Sequence, residues 1–379
     1  MSDSRRAGWL AGAGGIAALG AVAAGGVARD VARRRAVRRR DPHADEDFTA
    51  IYRDPATTVT TDDGVELAVR TVVTGTPDGL DDGRGEPELT VVFVHGFSLR
   101  MASWHFQRRD LERRWADRRI RMVFFDQRGH GRSGAAEAQT STISRLADDT
   151  AAVLRDVAPT GPVVLVGHSM GGMTIMGLAR RYPELFGAGG RIAGVALIAT
   201  AARGITEGGL GKGLHNPVVD GFRLAVRRAP GAVRAGRGVT RALLEPVLVA
   251  ASFGPDFYSP AAGRAVEKMI QNTPIETIVN FLHALENHDE STALPVLAQV
   301  PSVVVCGNRD RLTPLQRSVR MYGELGEDSA LEVADGAGHM VLMEQPDLVT
   351  DAIVDLVGRA RVAKPRPRRG WWKKMRVAR

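Results

Sequence analysis

Residues 162–172 read Pro-Val-Val-Leu-Val-Gly-His-Ser-Met-Gly-Gly, an apolar run that leads directly into a serine flanked by glycines. A short apolar run of this kind predicts a buried strand, and the residues after the serine are compatible with a helix. A serine hydroxyl is a weak nucleophile at neutral pH, so a reactive serine needs an exposed turn and a base beside it. Gly167 and Gly171 suit such a turn, because a side chain at either position would obstruct the close approach of strand and helix. The stretch therefore predicts a strand, a tight turn and a helix, with Ser169 as a candidate nucleophile.

From residue 57 onward, short apolar runs alternate with helical patterns. This alternation predicts an α/β fold in which a mostly parallel sheet carries helices on both faces. The eight predicted strands span residues 58–61, 65–74, 89–94, 120–125, 162–166, 192–198, 302–306 and 330–333. The predicted helices span residues 103–118, 142–157, 170–182, 315–325 and 346–361.

The strand pattern is interrupted between residues 201 and 300, where helical and glycine-rich pieces alternate. We expect this interval to form a helical cap over the carboxyl edge of the sheet, where ligands bind in open α/β folds. The core then consists of a first part, residues 57–200, and a second part, residues 301–360. Three histidines of the cap, His215, His283 and His288, are expected to have solvated or core roles.

The acidic, proline-containing segment 41–56 is predicted to be a linker between the core and the N-terminal residues 1–40. At the other end, residues 361–379 are predicted to form a basic tail that contains two tryptophans.

A serine nucleophile requires a base within hydrogen-bond reach and an acid that orients the base. Asp310 follows one predicted strand and His339 follows the last one, in a glycine-rich loop. Asp310 has an alternative role as a cap of the next helix, and Asp335 lies nearer to His339 but in a turn that indicates a surface position. The order Ser169, Asp310, His339, each after a strand, predicts a catalytic triad.

Backbone N–H groups are the expected donors to a developing oxyanion. We assign them to Met170, directly after the serine, and to Phe97, in the turn that follows the strand at 89–94. His95 and His168 flank this site and are expected to hold neighbouring loops in place. The loop 125–133 is punctuated by glycines, and an internal charge pair between Asp126 and Arg128 is expected to fix it.

Together these motifs resemble those of the α/β-hydrolase superfamily: Val-His-Gly-Phe at 94–97, Asp-Gln-Arg-Gly-His-Gly-Arg-Ser at 126–133, Gly-His-Ser-Met-Gly-Gly at 167–172, Asp310 and His339. The resemblance covers residues 57–358, and the Gly-His-Ser-Met-Gly-Gly motif is similar to that of the monoacylglycerol lipase and esterase branch. It implies an eight-stranded α/β-hydrolase fold and a serine hydrolase that cleaves carboxylic esters through an acyl-enzyme on Ser169. Branches with an aspartate nucleophile, the epoxide hydrolases and haloalkane dehalogenases, are disfavoured because a serine stands at that position.

Several other functions remain open at this point. The same triad serves acyltransferases, thioesterases, amidases and carbon–carbon bond hydrolases, and a non-catalytic membrane-bound binding protein is a further alternative. The expected substrate is a hydrophobic ester or lipid. Cys306 is the single cysteine, and no histidines have metal-ligand spacing, so we predict neither a metal nor a cofactor.

The net charge of +8 comes from the two ends of the chain. Residues 1–40 contain nine Arg and two Asp, and residues 359–379 contain ten Lys or Arg and no acid, so the body between them is net acidic. The high isoelectric point therefore gives no reason to expect nucleic-acid binding by the body. Contact of the C-terminal tail with nucleic acid is an alternative to its contact with an anionic membrane surface.

Residues 7–28 form an uncharged stretch rich in alanine and glycine, long enough for a helix that just spans a bilayer. Seven arginines follow it within residues 29–40, whereas only Arg5 and Arg6 precede it. This bias predicts a membrane anchor with the catalytic domain on the cytoplasmic side. A cleaved twin-arginine export signal and a soluble tail are the alternatives. The sequence gives no indication of the oligomeric state.

Overall fold

The computed structural model describes residues 41–76, 85–203 and 249–360. Its centre is an eight-stranded open sheet with the strand order β1-β2-β4-β3-β5-β6-β7-β8. The strands are β1 (Ala56–Thr60), β2 (Glu66–Val73), β3 (Leu89–Val94), β4 (Ile120–Phe125), β5 (Val163–His168), β6 (Ile192–Ile198), β7 (Ser302–Gly307) and β8 (Ser329–Ala334). β1 and β2 pair antiparallel, β2 also runs antiparallel to β4, and all remaining pairs are parallel. The predicted mostly parallel sheet is confirmed.

The described residues form nine α-helices, and the five helices predicted at 103–118, 142–157, 170–182, 315–325 and 346–361 are among them, each near its predicted position. The nine are α1 (His105–Arg114), α2 (Ile143–Val157), α3 (Met170–Arg181), α4 (Pro260–Gln271), α5 (Ile275–Glu286), α6 (Leu294–Leu297), α7 (Leu315–Gly323), α8 (Val341–Glu344) and α9 (Pro346–Ala360). Short 3-10 helices span Ala50–Arg53, Met101–Trp104, Ala138–Thr140, Pro183–Leu185 and Ser291–Ala293. The first turn of the predicted helix at 103–118 belongs to one of these 3-10 segments.

Helices cover both faces of the sheet, because successive side chains of a strand point to opposite sides. In β3, Val91 and Phe93 join an apolar cluster with α1 and α9, whereas Val92 and Val94 join a second cluster with α2 and α3. The six residues of β3 are all buried, as expected for a parallel strand covered on both faces. The helices on both faces hold the sheet in place, and the candidate catalytic loops follow the carboxyl ends of β3, β5, β7 and β8.

The segment that precedes β1 differs from the plain linker expected over residues 41–56. From Asp45 onward the chain belongs to the same compact unit as the sheet. Ile51 is fully buried, His105 Nε2 donates a hydrogen bond to Glu46 Oε2 at 2.8 Å, and an ion pair joins Asp54 to Arg108 at 2.6 Å. Glu46 and Asp54, two acidic residues of the predicted linker, thus bind side chains of α1.

The described part of the predicted cap, residues 249–300, is helical, in line with the absence of strand patterns there. Ala262 and Val266 of α4 pack into the same apolar cluster as α1 and α9. The predicted N-terminal anchor, the basic tail and His215 lie outside the described residues. In the described ranges, no helix combines the length and apolarity needed to cross a membrane.

Candidate active site

Ser169 occupies a strained turn between β5 and α3. Its backbone has φ 53° and ψ −120°, which is unusual for a residue with a side chain. Four hydrogen bonds hold this backbone: Ser169 N–H donates to Ile198 O at 2.9 Å, and Ser169 O accepts from Gly172 N at 2.9 Å, from Met173 N at 3.2 Å and from Thr200 Oγ1 at 2.7 Å. The turn leaves the serine side chain only half-buried while the residues on either side are buried. This is the exposed, strained geometry expected of a nucleophile elbow.

The glycines around Ser169 are required by close backbone contacts. A Cβ at Gly167 would lie 2.6 Å from Gly171 O, and a Cβ at Gly171 would lie 2.0 Å from Val94 O. Both distances are far inside van der Waals contact. The helix after the serine therefore approaches its own strand and the neighbouring β3 more closely than any side chain would permit.

Asp310 and His339, predicted from the sequence, meet in the structure. Asp310 Oδ2 accepts from His339 Nδ1 at 2.8 Å and from Thr313 Oγ1 at 2.7 Å. The second oxygen, Oδ1, accepts from the backbone N–H groups of Leu312 at 2.8 Å and Thr313 at 2.9 Å. Four donors thus hold the carboxylate, whose side chain is fully buried. This arrangement places the imidazole proton on Nδ1 and leaves Nε2 free of a proton and able to act as a base.

The alternative role of Asp310, as a cap of the next helix, is not what the structure shows. Helix α7 begins at Leu315 and its N-cap position is Pro314. The N–H groups bound by Asp310 belong to the loop before this helix. Asp335 is exposed and accepts a hydrogen bond from Asn308 Nδ2 at 2.7 Å, in agreement with the predicted surface position.

His339 is brought to the elbow by its contact with the residue before the serine. His168 Nε2 donates to His339 O at 3.0 Å, and the two ring centroids are 4.9 Å apart. Burial lowers the pKa of His168 to about 3, so this ring is neutral. His168 therefore serves as a fixed link between the β5 elbow and the loop that carries His339.

The turn after β3 lies directly against Ser169. A Cβ at Gly96 would be 3.1 Å from the Cβ of Ser169 and 2.9 Å from His168 Nδ1, so Phe97 follows a residue in contact with the elbow. Met170 is the first residue of α3, and N–H groups in a first helical turn have no acceptor within the helix. The two predicted oxyanion donors thus belong to segments that flank the serine.

His95 holds this turn against a neighbouring loop. His95 Nδ1 donates to Gly96 O at 2.8 Å, and His95 Nε2 accepts from Gln127 N at 2.9 Å. Burial lowers the pKa of His95 well below its usual range, so the ring stays neutral. Both nitrogens are occupied by backbone groups, as the loop-holding role requires.

The predicted charge pair between Asp126 and Arg128 is wrong. Asp126 accepts from two backbone N–H groups, Met101 at 2.7 Å and Arg132 at 2.8 Å. Arg128 instead binds Asp149 of α2 and Asp63 of the β1–β2 turn, each through two hydrogen bonds. Both of its partners come from distant parts of the chain, and a local reading of the loop could not identify them.

An apolar wall stands beside the oxyanion turn. Ile275, Ile278 and Val279 of α5 form a small cluster against the half-buried Phe97. Of the cap histidines in the described residues, His283 is exposed, and His288 Nε2 donates to Ala201 O at 3.0 Å. Within the described ranges, no cluster of three or more His, Cys, Asp or Glu residues is arranged to hold a metal ion.

Sequence reasoning did not identify Thr313, whose hydroxyl and N–H both bind Asp310. Its position could have indicated this role, because Thr313 lies three residues after Asp310 in a loop closed by Pro314. At this spacing a threonine can bind a preceding carboxylate. Glu344, which binds the backbone of the His339 loop, was also missed.

Comparison with known proteins identifies the family of this chain. A sequence model described as the alpha/beta hydrolase family matches residues 91–352, more than half of the chain. A dihydrolipoyllysine-residue acetyltransferase component of the acetoin cleaving system from Pseudomonas putida is 27% identical over 71% of this chain, but this chain spans only 64% of that relative. A monoacylglycerol lipase from Mycolicibacterium smegmatis is 24% identical over 72% of this chain and 89% of its own length.

Among solved structures, a thermophilic esterase from Thermogutta terrifontis is similar, with a TM-score of 0.62 and 26% identity over 81% of this chain and 99% of the esterase. The family match, the eight-stranded sheet and the elbow at Ser169 lead to one assignment. This chain is a member of the alpha/beta hydrolase family.

Proposed function

We propose that this protein is a serine hydrolase that cleaves carboxylic esters through an acyl-enzyme on Ser169. The observation that carries the proposal is the Asp310–His339 pair, which is buried, oriented by hydrogen bonds and linked through His168 to the serine turn. Membership of a hydrolase family is consistent with this chemistry.

In the proposed reaction, Ser169 Oγ attacks the carbonyl carbon of the ester while His339 Nε2 takes the hydroxyl proton. The carbonyl oxygen becomes negatively charged and accepts hydrogen bonds from the Met170 and Phe97 N–H groups. Collapse of the intermediate breaks the carbon–oxygen bond of the ester, and the alcohol leaves with the proton held by His339. Water then attacks the acyl-enzyme by the same route, which releases the acid and restores the serine.

Asp310 stabilises the imidazolium that forms in both steps and keeps the ring in one tautomer. Because two N–H donors and the Thr313 hydroxyl also bind its carboxylate, the acid cannot rotate away from His339 without losing them. The base is thus preorganised before substrate binds.

The apolar wall of Phe97, Ile275, Ile278 and Val279 supports an apolar substrate beside the oxyanion turn. Each methylene that such a wall removes from water contributes about 0.8 kcal/mol to binding. An esterase and a monoacylglycerol lipase among the similar proteins are compatible with that preference. We therefore propose an ester with a hydrophobic acyl or alcohol group as substrate.

The test is hydrolysis of p-nitrophenyl esters with acyl chains of two to twelve carbons. We expect turnover by wild type, a kcat/KM that rises with chain length, and loss of activity in Ser169→Ala. Ser329→Ala, at the start of the edge strand β8, is the matched control and is expected to keep full activity. A well-folded wild type that hydrolyses none of these esters would favour a binding protein, and acyl transfer to an added alcohol in preference to water would favour a transferase.

We also propose that residues 1–40 attach the protein to a membrane with the catalytic domain on the cytoplasmic side, because seven arginines follow the uncharged stretch. Cell fractionation tests this. Full-length protein is expected in the membrane fraction and a variant lacking residues 1–40 in the soluble fraction. Equal recovery of both in the soluble fraction would refute the anchor, and cleavage near residue 23 would indicate an export signal.

A further inference from the structure

Glu344 lies at the end of α8, five residues after the proposed base, and its carboxylate bridges two separate backbone segments. Oε1 accepts from the N–H of Gly338, the residue directly before His339, at 2.9 Å. Oε2 accepts from the N–H of Gly254, in the cap, at 2.8 Å. One side chain therefore holds the His339 loop and a cap segment at the same time.

The cap segment Ser252–Phe257 is fitted tightly against the His339 loop. Met340 N–H, on the other side of the histidine, donates to Ser252 O at 2.8 Å. A Cβ at Gly254 would lie 2.2 Å from Gly336 O, and a Cβ at Gly338 would lie 2.4 Å from Gly254 N. The two backbones are thus in direct contact, and hydrogen bonds to the cap or to Glu344 fix the residues on both sides of His339.

The bridge depends on the protonation state of the Glu344 carboxylate. Burial raises the pKa of Glu344 to about 7, and the two N–H donors oppose that rise. The negative charge of Asp310 raises this pKa further, and a positive charge on His339 lowers it. Only the ionised carboxylate accepts two hydrogen bonds without presenting a proton to either donor. Above this pKa the bridge is complete.

We propose that Glu344 is a positioning residue that couples the cap segment Ser252–Phe257 to the His339 loop, so that the imidazole is correctly placed only when this segment is seated. The proposal rests on the proposed function, because His339 is the base of that reaction. Placement of the base to within a fraction of an ångström governs the rate of proton transfer. Loss of the bridge should therefore lower kcat more than it raises KM.

Two variants break the bridge from opposite sides. Glu344→Gln keeps the shape of the side chain but turns an NH2 group toward one of the two N–H donors. Gly254→Ala introduces the clash with Gly336 O and displaces the cap segment. The matched controls are Gly263→Ala, where a Cβ on α4 of the same cap meets no atom within 4 Å, and Glu290→Gln, a buried cap carboxylate bound to Arg180 instead.

The experiment measures ester hydrolysis at pH 8.5 with active-site titration, so that kcat is expressed per competent site. We expect kcat to fall about 10- to 100-fold in Glu344→Gln and Gly254→Ala, with KM changed less than about threefold. Both controls are expected to keep wild-type kcat even where Glu290→Gln lowers the melting temperature. Unchanged kcat in Glu344→Gln, or equal effects of Gly254→Ala and Gly263→Ala, would overturn the coupling.

Amide hydrogen exchange of residues 334–342 supplies a readout that needs no turnover. Exchange in this loop is expected to rise in both bridge variants and to stay unchanged in Gly263→Ala. Glu344→Gln reports the bridge alone, because only Gly254→Ala also adds an atom against Gly336 O. Absence of this rise in Gly254→Ala refutes the coupling even if wild type proves inactive toward esters. An inactive wild type whose loop exchange does respond refutes only the proposed function.

Discussion

The hydrogen bonds of Asp310 make its replacement by asparagine a demanding test of the proposed acid–base pair. The carboxylate oxygen Oδ1 accepts from two backbone N–H groups, so the amide of Asp310→Asn must place its carbonyl oxygen there. Its NH2 group then occupies the position of Oδ2, 2.8 Å from His339 Nδ1. An NH2 group donates, which forces the imidazole proton onto Nε2, the atom that must accept the proton of Ser169.

Asparagine at this position is therefore expected to reverse the tautomer while the local fold survives. Losing the correct tautomer and the countercharge of an imidazolium costs about 10⁴-fold in kcat in serine proteases with the same constellation, or about 5 kcal/mol of transition-state stabilisation. The backbone hydrogen bonds of the loop are retained, and the Thr313 hydroxyl can rotate to accept from the new NH2 group. We expect the free energy of unfolding to change by only about 1 kcal/mol.

The assay is p-nitrophenyl ester hydrolysis with active-site titration, accompanied by urea unfolding of the same samples. Asp335→Asn is the matched control, because this exposed carboxylate lies closer to His339 in sequence but binds Asn308 instead. It is expected to keep activity within about twofold of wild type. A kcat for Asp310→Asn within tenfold of wild type, or a larger loss in Asp335→Asn, would refute the assignment of the acid.

Three further predictions concern stability. Gly171→Ala places a Cβ 2.0 Å from Val94 O and is expected to lower the free energy of unfolding by more than about 3 kcal/mol or to prevent soluble expression. Urea unfolding close to that of wild type would show that the elbow is less tightly packed than described. Arg128→Met leaves the buried Asp149 unpaired and should lower the free energy of unfolding by about 3–5 kcal/mol, most of which the double variant Arg128→Met/Asp149→Leu should recover. A double variant no more stable than the single one would contradict the ion-pair explanation. Burial lowers the pKa of His130 to about 4, so the neutral ring's contribution to the free energy of unfolding is complete above pH 6.5 and is lost as the pH falls toward 4. In that window, the difference in the free energy of unfolding between wild type and His130→Gln should shrink by about 1.4 kcal/mol per pH unit. A difference that does not depend on pH would exclude a buried neutral ring.

The elements of the core could be predicted because their signals are local. Strands β3, β4 and β6 match the predicted bounds residue for residue, since each is an apolar run bounded by polar or glycine-containing loops. The Asp310–His339 contact was also predictable, because both residues follow parallel strands whose carboxyl ends lie at one edge of the sheet.

Contacts between residues that are far apart in the chain could not be predicted from the sequence. Arg128 pairs with Asp63 and Asp149, which are brought to it only by the folded hairpin and by α2. The acidic segment before β1 packs on the body for a similar reason, since its basic partners lie on α1. Glu344 was missed because the signal for its role is a contact with Gly254 of the cap, 90 residues earlier in the chain.

Covalent labelling is the most direct test of whether Ser169 is the nucleophile. Wild type is incubated with a fluorophosphonate, and intact mass and peptide mapping locate the adduct. We predict one phosphonyl group per chain on Ser169, no labelling of Ser169→Ala, and much slower labelling of an equally folded His339→Ala, which keeps the serine but lacks the base. Folded wild type that remains unlabelled, or that carries the adduct on another residue, would contradict the assignment.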